Sequence, residues 1–325
     1  MIDFSIIIPS FNKANFIVET IDSVKKQRFF NWELIIVDDG STDNSIAIIE
    51  DFCNKDERIK FFKRATLPKG GSACRNIGLK KSNGKYILFL DADDVLLDCC
   101  LEKRLAEIQK FPDNNFWVFS IGTFYKKIGD SSSTWLPKGN NFLLRFLKHD
   151  LPWHTMSVVW EKDFLLKLKG FDTDYPRLQD VELYTRALLS SNVSFKTFPN
   201  TSVDAYYRID AQRTIQNLSQ QLHKQKEGVL MYLEKITLLL HTKNQRKAIY
   251  GTYFSFVTTL NYSCLVSHNE IDIHNKISKD FLKYIDNRQH HLFWRSYYIR
   301  FYIKLYKIGF WKIKGFNYFM KYLFC

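Results

Sequence analysis

The sequence predicts an α/β protein with a doubly wound, mostly parallel mixed sheet flanked by helices, continued by a helical C-terminal extension. Three observations carry that expectation. Apolar runs of strand length alternate with amphipathic stretches through the first hundred residues; polar clusters follow three of those runs; and the strand pattern stops near residue 215. Continuous apolar strands separated by amphipathic helices need a parallel sheet covered on both faces, and such sheets bind ligands beyond the carboxyl ends of their strands.

The elements follow in order. "FSIIIP" at 4–9 reads as the first strand, and Phe16, Ile17, Ile21 and Val24 give the next helix one apolar face. "ELIIVDD" at 33–39 is the second strand, with a helix at 44–53 that turns Ile46, Ile49 and Cys53 inward. "IKFFK" at 59–63 and "YILFL" at 86–90 flank a helix beginning near Gly71 and Ser72. Between 116 and 208, the runs "FWVFSI", "SVVW", "VSFKTF" and "VDAYYR" alternate with helices at 161–168 and 180–190. That pattern suits an extension of the same sheet. From about Gln212 the reading is helical, so a boundary is expected near 215, between a domain over 1–214 and a basic, aromatic-rich region over 215–325.

Composition narrows the class. With 325 residues and 46% hydrophobic side chains, the chain can build a large core, which excludes disorder as the dominant state. The formal net charge is +13, and +8 of it lies between Arg288 and Cys325, where no Asp or Glu occurs. The six cysteines show no metal spacing and read as reduced thiols of a cytosolic protein. The first residues pass directly into a strand pattern, so no secretory leader is expected. The longest charge-free run, Ala248 to Asn269, carries too much Thr, Ser and Asn for a membrane span.

Polar residues gather where such a sheet would hold a ligand. The first strand ends in Pro9, Ser10, Phe11, Asn12 and Lys13, the second in Asp38, Asp39, Gly40 and Ser41, and the fourth in Asp91, Ala92, Asp93 and Asp94. On an extended backbone Asp91 and Asp93 point the same way, so both carboxylates can face one ligand. Such hard oxygens suit Mg²⁺ or Mn²⁺ shared with a diphosphate. Asp94 is expected to cap the following helix. One of Asp38 and Asp39 can accept from the N3–H of uracil, while the other can cap the helix that follows. No G-x-G-x-x-G follows the first strand and no G-x-x-x-x-G-K-[ST] occurs, which counts against hydride-transfer enzymes and P-loop NTPases.

"SIIIPSFNKANFIVETIDSVKKQ", "WELIIVDDGSTDNS", "GGSACRNIGLKKSNGKYILFLDADD" and "GFDTDYPRLQDVELYTRAL", in that order over about residues 3–210, resemble the inverting family 2 glycosyltransferases. The resemblance implies a GT-A fold and a catalytic domain over 1–214. It implies a nucleotide pocket of Pro9, Ser10, Phe11, Asn12, Asp39, Arg75, Asp91 and Ala92, with Asp93 on a Mn or Mg ion. The family's Ala-Arg-Asn is Cys74-Arg75-Asn76 here. Inverting transfer needs a base to take the proton of the attacking hydroxyl. By position this is Asp180, and Gln179 replaces the family's usual acidic neighbour. His154, Glu182 and Arg213 are candidate diphosphate or acceptor contacts together with Gln179, and Arg208 falls in the same flexible stretch as Arg213. The implied partners are a nucleotide-sugar donor, by preference a UDP-sugar, and a glycan or lipid-diphosphate-linked acceptor.

"FWRSYYIRFYIKLYKIGFWKIKGFNYFMKYLF" interleaves cations with aromatic rings. That composition suits the surface of an anionic leaflet, which predicts a cytoplasmic protein held peripherally at the inner face of the plasma membrane. The competing readings are helices that pack on the protein or on a twin subunit, and a single-stranded nucleic-acid contact.

Overall fold

The structure, a computed structural model, describes residues 2–209, 218–288 and 293–324. The chain divides into two compact units. The first comprises 1–140, 152–174 and 182–213, and the second 141–151, 175–181 and 214–325.

The first unit opens with strand β1 (Phe4–Ser10), helix α1 (Ile17–Lys25), β2 (Trp32–Asp38), α2 (Ser45–Lys55), β3 (Ile59–Lys63), α3 (Gly71–Lys81) and β4 (Tyr86–Phe89). There follow β5 (Val95–Leu96), α4 (Cys100–Gln109), β6 (Phe116–Phe119), β7 (Ile121–Phe124) and β8 (Thr134–Trp135). Further along the chain are α5 (Phe142–Leu147), β9 (Val158–Glu161), α6 (Lys162–Lys167), α7 (Gln179–Leu189), β10 (Phe195–Phe198) and β11 (Ala205–Arg208). Of these, α5 lies in the second unit, and α7 starts in the second and continues in the first.

Seven strands form one sheet in the order β10-β6-β9-β4-β1-β2-β3. All neighbours run parallel except β9, which is antiparallel to both β4 and β6. The core strands β1, β2 and β4 are buried almost throughout, as continuous apolar runs flanked by helices must be. Register aligns their carboxyl ends: Ser10 lies opposite Asp38, Ile7 opposite Phe89, and the Asp39 amide donates to the Ser10 carbonyl at 2.8 Å.

The middle of the chain departs from expectation. β6, β9 and β10 do extend the main sheet, but β7 and β11 leave it to form a second sheet, β5-β11-β7-β8. Two of its strands are only two residues long, too short for an apolar period to register. A buried ion pair braces the region between α4 and β11, with Arg104 donating to Asp204 at 2.7 Å and to the Met156 carbonyl at 2.9 Å.

The second unit is helical, with α8 (Leu218–Thr237), α9 (Lys243–Ala248), α10 (Tyr250–Asn261), α11 (Ile271–Arg288), α12 (Phe293–Lys307) and α13 (Phe316–Phe324). The charge-free run of the sequence becomes α10, which packs against α8, α11, α12 and α13 and buries Tyr253, Phe254, Phe256, Val257 and Leu260. A helix apolar on nearly every side belongs inside a bundle. Among the described residues no helix is long and apolar enough to cross a membrane. α12 and α13 are partly inward-facing: Ile299, Tyr302, Tyr306, Phe316 and Met320 are buried, and the Tyr302 hydroxyl donates to Asn317 at 2.8 Å.

Candidate active site

The ends of β1, β2 and β4 are stitched to one another before any ligand is considered. Asn12 takes a left-handed backbone, and its side chain accepts from the Thr42 amide at 2.8 Å while its own amide donates to Ser41 Oγ at 2.9 Å. The Lys13 and Ala14 amides donate to Ser45 Oγ and Asp43 at 2.8 and 3.0 Å. Asp38 folds its own turn, accepting from the Gly40 and Ser41 amides at 2.8 Å each. The helix after it begins only at Ser45, so Asp38 shapes a loop and caps no helix.

Between these ends lies a cavity of about 220 Å³. Pro9, Ser10 and Phe11 form one side, with Phe11 exposed; Asp39, Cys74 and Arg75 form another; Asp91, Ala92 and Asp93 close it, with Lys13 and Gly71 at the margin. Eight residues expected from the sequence thus line one space: Pro9, Ser10, Phe11, Asp39, Arg75, Asp91, Ala92 and Asp93. Asn12 is absent from the lining and instead ties the two loops together.

The carboxylates are already engaged with cations. Arg64 and the Gly70 amide donate to Asp39, Arg75 donates to Asp91, and Lys13 pairs with Asp93. Arg64 was not singled out from the sequence, and Lys13 was named only as part of the first strand end, because a partner supplied by a neighbouring strand end leaves no local pattern. Cys74 Sγ lies 3.7 Å from Asp39 Oδ1, and its thiol is pushed up to about 12 by burial and by the charge of Asp39. It is therefore an inert wall of the cavity at neutral pH.

Two expectations about 91–94 are corrected. The segment is a turn and not an extended strand, since the Asp94 amide donates to the Asp91 carbonyl at 3.1 Å. Both Asp91 and Asp93 still reach the cavity, because the turn brings them round together. Asp94 does not cap a helix: β5 follows it directly, and α4 starts at Cys100. It is fully buried, accepts from the Arg208 amide at 2.9 Å, and leaves Oδ2 without a partner. Burial, then the charges of Asp91 and Asp93, hold its carboxyl well above the usual range. Arg208 is likewise locked in place, donating to the Asp93 carbonyl at 2.9 Å and to Glu19, with its guanidinium over Phe124. It belongs to a strand, not to a flexible segment.

Among the described residues no group of three or more His, Cys, Asp or Glu forms a ready metal cage. The donor set does fit a hard divalent cation that completes its shell elsewhere. Two carboxylates face one cavity, and the carboxyl of Asp94, buried behind them, is held above its usual range by burial and then by their charge. Asp93 is the residue that would hold such an ion, with Asp91 beside it at the cavity.

The remaining candidates are not among the lining residues. His154 caps a 3₁₀ turn before β9, its ring stacked on Trp135 at 5.3 Å and tilted on Tyr207 at 4.8 Å. Both oxygens of buried Glu182 accept from Arg186, at 2.6 and 2.8 Å, and Arg186 also donates to the carbonyls of Leu168 and Gly170. Gln179 and Asp180 stand at the start of α7, in the second unit, directly after Leu178. Leu178 adopts φ +65°, a region bulky residues rarely enter and which is concentrated at functional segments. Within that unit the charge of Asp180 acts on His149, whose imidazole is lowered by burial and by Lys321 and raised by Asp180. Arg213 lies outside the described residues.

The motif "CRN" has a further structural role. Asn76 donates to the Phe171 carbonyl at 2.8 Å and accepts from its amide at 2.9 Å. Beside it Gly170 has φ +64°, and a Cβ there would come within 2.3 Å of Asn76 Oδ1. The pair Gly170-Phe171 is thereby clamped to α3, which also carries Arg75.

An α/β sheet with acidic and small polar strand ends around one cavity places a ligand site beyond the carboxyl ends of its strands. The profile described as "Glycosyl transferase family 2" matches residues 5–171, and the chain belongs to that family. A glucosyltransferase of Escherichia coli, described as UDP-Glc:alpha-D-GlcNAc-diphosphoundecaprenol beta-1,3-glucosyltransferase WfgD, is 40% identical over 106 residues, 33% of this chain and 41% of that one. The chain covers under half the length of the curated relatives it matches, from 17% of a Rickettsia bellii glycosyltransferase to 47% of a Campylobacter jejuni one. Its fold is that of S. aureus TarS, solved with UDP-GlcNAc, at TM-score 0.65 and 20% identity over 94% of this chain and 88% of the other. A Pyrobaculum calidifontis mannosyltransferase solved with GDP-Man and Mn²⁺ shares it at TM-score 0.54 and 15% identity, over 98% and 86%. These likenesses establish the GT-A fold.

Proposed function

We propose that this protein is a glycosyltransferase of surface-polysaccharide synthesis, moving a sugar from a UDP-sugar to a glycan or lipid-diphosphate-linked hydroxyl with inversion. The observation that carries the reading is the convergence of three strand ends on one cavity whose acids and bases suit a nucleoside diphosphate. The names of the E. coli relative, which pairs a UDP-sugar with a diphosphoundecaprenol acceptor, and of TarS, solved with UDP-GlcNAc, support the donor and acceptor classes.

In this reading Pro9, Ser10, Phe11, Asp39 and Ala92 line the nucleotide pocket, with Asp39 accepting from the base and Asn12 holding the two loops in place through Ser41 and Thr42. Arg75 and Lys13 balance charge on the diphosphate. Asp93 would hold Mn²⁺ or Mg²⁺, with Asp91 on the nucleotide side of the site, and the ion when bound would neutralise charge on the departing diphosphate; the Mn²⁺ in the mannosyltransferase complex supports that choice. Asp180 removes the proton as the acceptor oxygen bonds to the anomeric carbon, and the bond from that carbon to the diphosphate oxygen breaks with its electron pair. His154, Gln179, Glu182 and Arg213 are assigned to diphosphate or acceptor contacts from the resemblance. Residues 1–214 are assigned as the catalytic domain. The region 215–325 is assigned to peripheral contact with the inner face of the plasma membrane. The family does not favour a non-catalytic or nucleic-acid-associated protein.

Thermal shift with UDP and Mn²⁺, followed by a panel of sugar nucleotides assayed for transfer, tests the proposal. Stabilisation by UDP that increases with the metal is expected. A melting temperature unmoved by every nucleoside diphosphate removes the donor site.

A further inference from the structure

The second unit contains a cavity of about 580 Å³ lined by Lys148, Lys247, Tyr318, Lys321, Tyr322 and Leu323. Three chain segments build it. Lys148 ends α5, Lys247 lies in the last turn of α9, and the other four residues lie along α13. Lys321 reaches across to donate to the Lys148 carbonyl at 3.3 Å. None of the three ammonium groups has a carboxylate partner among the described residues, and no acidic residue lines the cavity. Like charges gathered around a concave space raise its affinity for an anion.

The rim adds a second property. α13 buries Phe316 and Met320 and turns its other side outward, with Tyr318 at 80%, Tyr322 at 77%, Phe319 at 57% and Leu323 at 54% exposure. Ile308 and Ile313, in the segment before it, are also exposed. A soluble anion would satisfy the lysines and leave this apolar side in water. An acidic peptide would do the same. An anionic lipid satisfies both, with its phosphate among the ammonium groups and Tyr, Phe and Leu at the headgroup–acyl boundary.

We propose that this cavity is a binding site for the phosphate of an anionic membrane lipid, seated by Lys148, Lys247 and Lys321 with the exposed side of α13 in the leaflet. The proposal rests on the membrane contact proposed above and narrows it from a diffuse basic surface to one site.

Flotation of the full chain with phosphatidylcholine vesicles containing phosphatidylglycerol tests it. A variant carrying Lys148→Gln, Lys247→Gln and Lys321→Gln is compared with one carrying Lys304→Gln, Lys312→Gln and Lys314→Gln, which removes the same charge outside the cavity. The first is expected to lose at least about tenfold more partitioning than the second, since each lysine at an anionic leaflet is worth about a fivefold change. The corresponding Lys→Arg triple should retain binding. Should the first variant fail to fold, pyrophosphate must release the wild type from vesicles better than chloride at matched ionic strength. Equal losses in the two variants, or equal release by both salts, overturn the site and leave a diffuse basic surface. A wild type that never floats overturns the membrane contact itself. Tighter binding to a single-stranded oligonucleotide than to vesicles, lost in the same variant, overturns the lipid assignment.

Discussion

Asp91, Asp93 and Asp94 are adjacent and chemically identical, yet the fold assigns them three environments. Asp91 faces Arg75 and Asp93 faces Lys13, both at the cavity, while Asp94 lies sealed behind them against the Arg208 amide. The sequence showed that these acids share a strand end, because carboxylates after an apolar run have no packing use. It could not show that Arg64 meets Asp39, since the partners are 25 residues apart and joined only by the β2–β3 register. Asp180 was reached by motif, and the left-handed Leu178 before it is a signal that only the backbone reveals. Asp180→Asn tests the base directly. It keeps the shape and removes the proton acceptor, so turnover should fall about 10²- to 10⁴-fold while UDP affinity stays within about twofold. Steady-state kinetics with calorimetry of UDP binding separates the two, and undiminished turnover ends the role.

At the scale of elements, β1, β2, β4 and α1 to α3 were readable because those strands are buried on both faces and each helix on one, while the edge strand β3, only partly buried, was readable from its short apolar run. The second sheet was not, since two of its strands are two-residue pairings made by tertiary contact. The 91–94 turn was misread for a similar reason: an alternating D-x-D pattern fits a strand equally well. The packing of α3 on β1, which holds Arg75 and Gly71 at the cavity, depends on Gly78. A Cβ there would sit 2.4 Å from Ile7 Cγ2, and Ile7 is fully buried. Gly78→Ala should therefore destabilise the first unit by about 1–3 kcal/mol through overpacking. Denaturant unfolding would show it, and a stability equal to wild type would mean that α3 can move outward without penalty.

At the scale of the whole chain, the sequence located the positive charge and the helical character of the C-terminal region, but not how its aromatic rings divide between interior and surface. That division depends on which helices surround α10, and composition does not encode it. The same bundle creates a pH dependence. His274 on α11 is fully buried, with one ring nitrogen 2.8 Å from Asn261 Oδ1 and Nδ1 without a partner. Burial, with the charge of Lys307 on α12 adding and the nearby Asn275 side chain opposing, lowers its imidazole from 6.5 to about 4. The folded state therefore keeps His274 neutral where the unfolded chain is already protonated. Its contribution is complete above pH 6.5 and is lost as the pH falls toward 4. His149, lowered mainly by burial, acts with the same sign. Between about pH 7 and pH 5 the buried His274 should cost about 1–2 kcal/mol of stability. His274→Gln retains a hydrogen-bonding group for Asn261 and does not titrate, so it should flatten part of that slope and leave the share due to His149. Melting temperatures of both proteins measured across that range decide it. Parallel curves would show that His274 is protonated in the folded bundle, with Asn261 and water around Nδ1 stabilising the charge.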